Sequence, residues 1–358
     1  MDAAMKNIVV LATGGTIAGV GEQGKDIGYK SGSLDAQTLV DAVPELKNVA
    51  NIRVEQVCNI NSDDVTSEIW IALARRIEEL SKCADVDGFV IMHGTDTMEE
   101  TAFFLSLTLG ANIASENVAS AIIAKPVVLT GSMRPATAKE PDGPANLLFA
   151  VQSAVRLSSS LATCHAREGG LLPFVDSTES SAVYVAFAGK LMDARTVQKV
   201  HANDLDAFEE ISSELSCPPL VIPDPVPGGL HPLLKAKYSF NVSSLRELPR
   251  VSVLYFNADA DAELVRFAAE RSAGLVIAGA GAGEFSQAWA DALAKVKAPV
   301  VVSTRINRGC VVPEQLLVKG TIAAYDLPPA KAAVLLRLAL TVTNDPVVIQ
   351  KFYQDCSV

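Results

Sequence analysis

Between Asn7 and Gly19 the chain reads Asn-Ile-Val-Val-Leu-Ala-Thr-Gly-Gly-Thr-Ile-Ala-Gly, and this stretch narrows the fold more than any other. Ile8 to Ala12 is apolar and partly β-branched without polar alternation, the pattern of a strand buried on both faces of a parallel sheet. Gly14 and Gly15 then allow a sharp turn and a close backbone approach, setting the Thr16 hydroxyl just past the strand's carboxyl end. Open α/β sheets bind ligands at that edge. On these residues alone, a tight turn that happens to contain threonine and a turn that presents a nucleophile are equally good readings.

The same pattern recurs. Gly88 to Met92 reads as a second buried strand and runs into His93-Gly-Thr-Asp-Thr-Met-Glu-Glu100. Pro126 to Thr130 reads as a third, closed by Gly131-Ser-Met-Arg-Pro135. Helices are expected at Val65 to Lys82, with Asp63 or Asp64 as cap, from Asp96 to about Leu109, and from Ala145 to Ser158, with a loop over 111–124. Asp96 is either a helix cap or a ligand. A further strand is expected at Ala182 to Phe187, and each strand so far is followed by a helix, which predicts a mainly parallel sheet covered on both faces.

Residues 190–208 read as polar and irregular, and Lys199 in their middle is of a kind ordinarily solvated. Cys217 to Pro232 holds six prolines and two adjacent glycines and reads as a linker. A second α/β unit follows, with strands at Val251 to Phe256, Gly274 to Ala278 and Pro299 to Ser303. Its helices are expected at Asp261 to Ser272, Phe285 to Val296 and Pro329 to Thr343, with a short one from Pro346. The division expected is 1–216, a linker over 217–248, and 249–358.

Two glycine runs need a decision. Gly19, Gly21 and Gly24 match Gly-x-Gly-x-x-Gly, but no strand leads directly into them and further glycines oppose a helix, so a dinucleotide fingerprint is rejected. That segment, with its single Tyr29, reads either as a lid or as a surface loop on which the tyrosine packs. Gly279 to Gly283 nearly matches the same motif, but Glu284 replaces its last glycine and a carboxylate there would oppose a pyrophosphate.

Composition limits the chemistry. A formal charge of -11 over 358 residues opposes a phosphate-tracking surface, so no nucleic-acid partner is expected. No apolar run reaches the ~20 residues of a membrane span. Six scattered cysteines and four histidines show neither a Cys-x-x-Cys pair nor ligand spacing, so no metal and no cofactor are expected. A reduced, cytoplasmic setting is expected, although an exported form shorn of its leader would read alike. No serine or cysteine stands in a recognisable hydrolase motif with histidine, which leaves threonine as nucleophile and Tyr29 or Lys199 as candidates to take its proton.

Leu11-Ala-Thr-Gly-Gly-Thr-Ile-Ala-Gly19, Met92-His-Gly-Thr-Asp-Thr-Met-Glu-Glu-Thr101, Gly131-Ser-Met-Arg-Pro135 and Asp142-Gly-Pro144 resemble the signature segments of bacterial-type L-asparaginases. The similarity runs on through Arg246-Glu-Leu-Pro-Arg-Val251 and the helix from Pro329. It implies an N-terminal flavodoxin-like, doubly wound α/β domain with a smaller C-terminal α/β domain, assembled as a homotetramer built as a dimer of dimers. It also implies hydrolysis of L-asparagine to L-aspartate and ammonia through an acyl-threonine, with weaker action on L-glutamine.

By position, Thr16 matches the acyl-accepting threonine and Tyr29 the lid tyrosine. Thr95, Asp96 and Lys199 match a second cluster, in which lysine and aspartate support a threonine that activates water or orients the amide. Ser62 matches the residue that binds the substrate's α-carboxylate, Asp96 also meets its α-ammonium, and Asp63 stands where relatives often carry glutamine. Ala282 and Glu284 replace asparagines, and Glu314 is the equivalent of a glutamate near the Thr304-Arg305 segment; both sites reach a neighbouring subunit's pocket in the family. Cys83 matches a disulfide cysteine of exported relatives, with no partner in the corresponding downstream segment. A non-hydrolytic small-ligand or nucleotide-binding protein is the alternative, and a tRNA-dependent amidotransferase subunit is disfavoured because the chain has no basic tract.

Overall fold

The computed structural model describes residues 5–25, 28, 30–109, 125–165, 183–211 and 240–357, with backbone alone over 160–165. The chain divides into two units, Met1–Glu210 with Asn241–Ser244, and Ile211–Phe240 with Leu245–Val358. The loop expected over 111–124 and the linker residues 217–239 lie outside the described residues.

The first unit runs β1 (Asn7–Gly14), α1 (Ala36–Asp41), β2 (Asn51–Ile60), α2 (Ser67–Ser81), β3 (Gly88–Met92) and α3 (Met98–Leu109). It continues with β4 (Val127–Thr130), α4 (Gly143–His165), β5 (Val183–Phe187), β6 (Lys190–Asp193), β7 (Val197–Lys199) and β8 (Phe208–Glu210). Its main sheet has the order β2-β1-β3-β4-β5-β6. The first five strands give the flavodoxin-like order 2-1-3-4-5, which places the topological switch point between β1 and β3. β1 pairs in parallel with both β2 and β3, Val10 opposite Val54 and Val90.

Continuous apolar sequence accounts for the centre of this sheet. Ile8 to Leu11 and Phe89 to Met92 are buried on both faces. On one face Ile8, Val10 and Ala12 pack in a cluster with Leu147, Ala150 and Val151 of α4. α3 packs on β5 and on α2, where Trp70 stacks on Phe104 with ring centroids 5.2 Å apart.

Three local expectations change. α2 is capped by Thr66, whose hydroxyl accepts the Ile69 N–H at 3.4 Å, so neither Asp63 nor Asp64 is its cap. Asn51–Ile60, not expected as a strand, is the edge strand β2. The stretch 190–208 is not irregular. It holds β6, antiparallel to β5, and β7, which pairs antiparallel with β8 in a ribbon outside the main sheet.

The second unit comprises β9 (Val251–Tyr255), α5 (Glu263–Ala269), β10 (Gly274–Gly279), α6 (Gln287–Leu293), β11 (Val300–Thr304), β12 (Ile322–Ala323), α7 (Pro329–Ala339) and α8 (Pro346–Cys356). Its strands are all parallel in the order β12-β11-β10-β9. The fold is therefore two α/β units, as the alternation of buried strands and helices predicts. Among the described residues no helix is long and apolar enough to cross a membrane.

Candidate active site

Three turns of the first unit meet at the carboxyl edge of its sheet. β1 ends at Gly14 and Gly15 follows it, with φ of 106° and 85°, a region that side-chain-bearing residues rarely enter. The Gly15 N–H donates to the Ile60 carbonyl at 2.9 Å. A Cβ on Gly15 would lie 2.5 Å from Gly94 Cα, and one on Gly94 would lie 2.6 Å from Ser62 Oγ. The turns after β1, β2 and β3 are thus in backbone contact. Thr16 opens the 3-10 turn Thr16–Ala18 and is half-buried, while Ile17 and Ala18 anchor the turn in the core.

Ser62 is buried on the turn after β2, and its Oγ accepts the Asp96 N–H at 3.3 Å. The Ser62 carbonyl accepts the Thr97 hydroxyl at 2.7 Å, locking the second turn to the third. Asp63 follows on the same 3-10 turn and is exposed.

Lys199 is not solvated as its sequence setting suggests. Its Nζ donates to Thr95 Oγ1 at 2.9 Å and to Asp96 Oδ1 at 2.6 Å. Its side chain is 14% exposed against 66% for that of Asp96, so the cation is mostly sheltered and the carboxylate mostly wet. Asp96 lies in the 3-10 turn Thr95–Thr97 that precedes α3. A hydroxyl held beside an ammonium and a carboxylate is a proton-handling arrangement, and Thr16 offers a second hydroxyl on the adjoining turn.

Beneath this cluster, His93 is 1% exposed. Its Nδ1 lies 2.7 Å from the Gly94 carbonyl, an acceptor only, so Nδ1 carries the proton. Nε2 then accepts from the Thr101 hydroxyl at 3.0 Å, and Thr101 Oγ1 accepts Trp70 Nε1–H at 2.8 Å. Burial pushes the imidazole pKa down to about 4, so the ring is neutral at pH 7. The chain Trp70–Thr101–His93–Gly94 fixes the turn from below.

Tyr29 lies outside the described residues. The segment that carries it is closed at its base by the antiparallel bridge of Val20 with Lys30 and by the Gly32 N–H, which donates to Gly15 O at 3.2 Å. Among the described residues the first α-helix after Gly24 is α1, which begins at Ala36. Glu284 and Glu314 are exposed residues of the second unit. At the Gly279 turn the N–H groups of Gly283 and Glu284 both donate to the Ala280 carbonyl, so these donors are turned inward and not toward a phosphate. Among the described residues no cluster of histidine, cysteine, aspartate or glutamate is placed to hold a metal ion.

Sequence reasoning did not single out Glu99, whose carboxylate accepts the Lys199 N–H at 2.5 Å, nor Thr97, Thr101 and Trp70. Glu99 reads in the sequence only as an acid that suits the helix dipole. Its spacing of three from Asp96, which puts both on one helical face, is the signal that was there to use.

Residues 7–165 match the family model "Asparaginase, N-terminal", and residues 250–353 match "Glutaminase/Asparaginase C-terminal domain". The chain is 38% identical to a protein of Haemophilus influenzae named "Probable L-asparaginase periplasmic", over 98% of this chain and 93% of that protein. It is 32% identical to the "Glutaminase-asparaginase" of Pseudomonas fluorescens, over 98% of this chain and 90% of the relative. The crystal structure of a probable cytoplasmic L-asparaginase from Campylobacter jejuni superposes with a TM-score of 0.77 at 36% identity, covering 98% of this chain and 99% of that one.

Proposed function

Because the chain belongs to the bacterial-type L-asparaginase family, we propose that it is an amidohydrolase whose preferred substrate is L-asparagine, cleaved to L-aspartate and ammonia, with weaker action on L-glutamine. The observation that carries this reading is the Lys199–Thr95–Asp96 cluster on a turn in backbone contact with the turn that bears Thr16. Both turns lie at the switch point of the sheet, where such folds bind ligands.

In the proposed reaction Thr16 Oγ attacks the side-chain amide carbon and gives up its proton. The C–N bond then breaks, the nitrogen leaves as ammonia with that proton, and an acyl-threonine ester remains. Water attacks the ester, and its proton returns to Thr16 as the C–Oγ bond breaks. With the Lys199 ammonium donating to Thr95 Oγ1, the Thr95 hydroxyl hydrogen is directed toward the substrate side, where it orients the amide or the water. Ser62 is assigned to the substrate's α-carboxylate, and Asp96, with Asp63 beside it, to the α-ammonium. Tyr29 is assigned to the proton transfer at Thr16 on its motif position.

We infer a homotetramer built as a dimer of dimers, with Glu284 and Glu314 reaching a neighbouring subunit's pocket. Val253 and Tyr255 of the edge strand β9, and Leu264 and Phe267 of α5, are exposed apolar side chains that neighbouring subunits would cover. A cytoplasmic setting is proposed on the cysteine pattern, and relatives are named for both the cytoplasm and the periplasm.

The test is ammonia release from L-asparagine by the wild type and by Thr16→Ala. The wild type turns over and Thr16→Ala, still folded, loses activity by several orders of magnitude. Near-native activity in Thr16→Ala would remove the acyl-threonine from the mechanism.

A further inference from the structure

We infer that Glu99 is a positioning residue for Lys199, holding the lysine's backbone where its ammonium reaches Thr95 and Asp96; this rests on the proposed asparagine hydrolysis. Lys199 is the last residue of the three-residue β7, which pairs only with β8, in a ribbon outside the six-stranded sheet. Main-sheet hydrogen bonds therefore do not set its distance from the turn after β3. Three hydrogen bonds made by Lys199 itself do. Two hold the ammonium, to Thr95 Oγ1 at 2.9 Å and Asp96 Oδ1 at 2.6 Å, and one runs from the Lys199 N–H to Glu99 Oε2 at 2.5 Å.

Asp96, on the 3-10 turn before α3, and Glu99, in the first turn of α3, are three residues apart, so consecutive helical turns grip the lysine at both ends. The grip matters because four methylenes separate the backbone from the ammonium. Were the backbone loose, the ammonium could keep Asp96, which is exposed and can follow it, while losing Thr95, which is buried and cannot. A carboxylate accepting a backbone N–H is a charge-assisted bond, stronger than a neutral one and suited to fixing a short strand. Displacing a proton-handling group by about an ångström costs on the order of a hundredfold in rate.

The role makes predictions that a plain helix-dipole role does not. Glu99→Ala lowers kcat on L-asparagine by about tenfold or more with KM within about threefold, and Glu99→Gln, which keeps a carbonyl acceptor at the same reach, recovers most of the loss. In a Lys199→Met background Glu99→Ala costs little further, because its effect passes through the lysine. If Glu99→Ala does not fold, Glu99→Asp, one methylene short, takes its place with the same expectations. A kcat within threefold of wild type in Glu99→Ala, or an equal loss with and without Lys199, would overturn the inference. Amide hydrogen exchange separates this from the functional reading: Glu99→Ala speeds exchange at 197–199 while β1 and α3 keep their protection. A wild type inactive on asparagine sinks the proposed reaction, whereas unchanged exchange at 197–199 sinks the role of Glu99.

Discussion

Gly15 and Gly94 touch backbone to backbone, so that a methyl group on Gly15 would fall 2.5 Å from both the Cα and the N of Gly94. Backbone atoms cannot swing aside as a long side chain can, and the Gly15 φ of 85° adds its own strain to any replacement. Gly15→Ala is therefore expected to lose about 2 to 4 kcal/mol of stability and most activity together. Urea unfolding and ammonia release check this, and an alanine variant of wild-type stability would show that the two turns can separate.

Lys199, Asp96 and Thr95 form one hydrogen-bonded unit, so in the proposed reaction their contributions to rate should be interdependent. Lys199→Met and Asp96→Asn should each lower kcat by about a hundredfold, and the double variant by only a few-fold more. Losses that multiply would mean that the groups act separately.

His93 gives a pH signature for the fold. Its ring stays neutral in the folded chain down to about pH 4, whereas in the unfolded chain it protonates near 6.5. Between those values the unfolded state binds the extra proton, so stability is complete above pH 6.5 and falls as pH drops toward 4, by up to about 3 kcal/mol. His93→Gln should remove this slope. Parallel unfolding curves for wild type and variant from pH 7 to 4.5 would show that the ring takes up its proton without cost.

Much of the fold could be read from apolar runs, and the reasons are specific. Ile8–Ala12 and Gly88–Met92 are central strands buried on both faces, so their sequences carry no polar residues, and each leads within two residues into a glycine. β2 escaped notice because it is an edge strand with exposed positions, in which Glu55 pairs with Arg53 and Arg76 as surface residues do. β7 and β8 are three residues each and have no periodicity to detect. Glycine turns point to Thr16 and Thr95, since a close approach demands glycine whatever surrounds it. Glu99 has no such mark, because its partner is a backbone N–H 100 residues away, and any residue but proline supplies one.

Amide preference follows from the turn after β2. Asp63 is exposed beside buried Ser62, adding a carboxylate near the position assigned to the substrate's ammonium. On the proposed assignment, two carboxylates around one cation would fix the α-carbon, and glutamine, one methylene longer, would then misplace its amide. The expected preference for asparagine in kcat/KM is at least about tenfold, since a methylene is worth ~1 to 3 kcal/mol. Asp63→Gln should narrow it, as paired measurements on both amides at one pH would reveal; equal efficiency in the wild type would refute the argument.

The bonds that seat Lys199 join residues 100, 103 and 104 positions apart, across a two-stranded ribbon that contributes nothing to the main sheet. Contacts of such long range close late, after the chain between them has been ordered. During refolding the sheet should regain its backbone signal first and the lysine should reach Thr95 last, so the enzyme passes through a state that is folded by circular dichroism yet chemically idle.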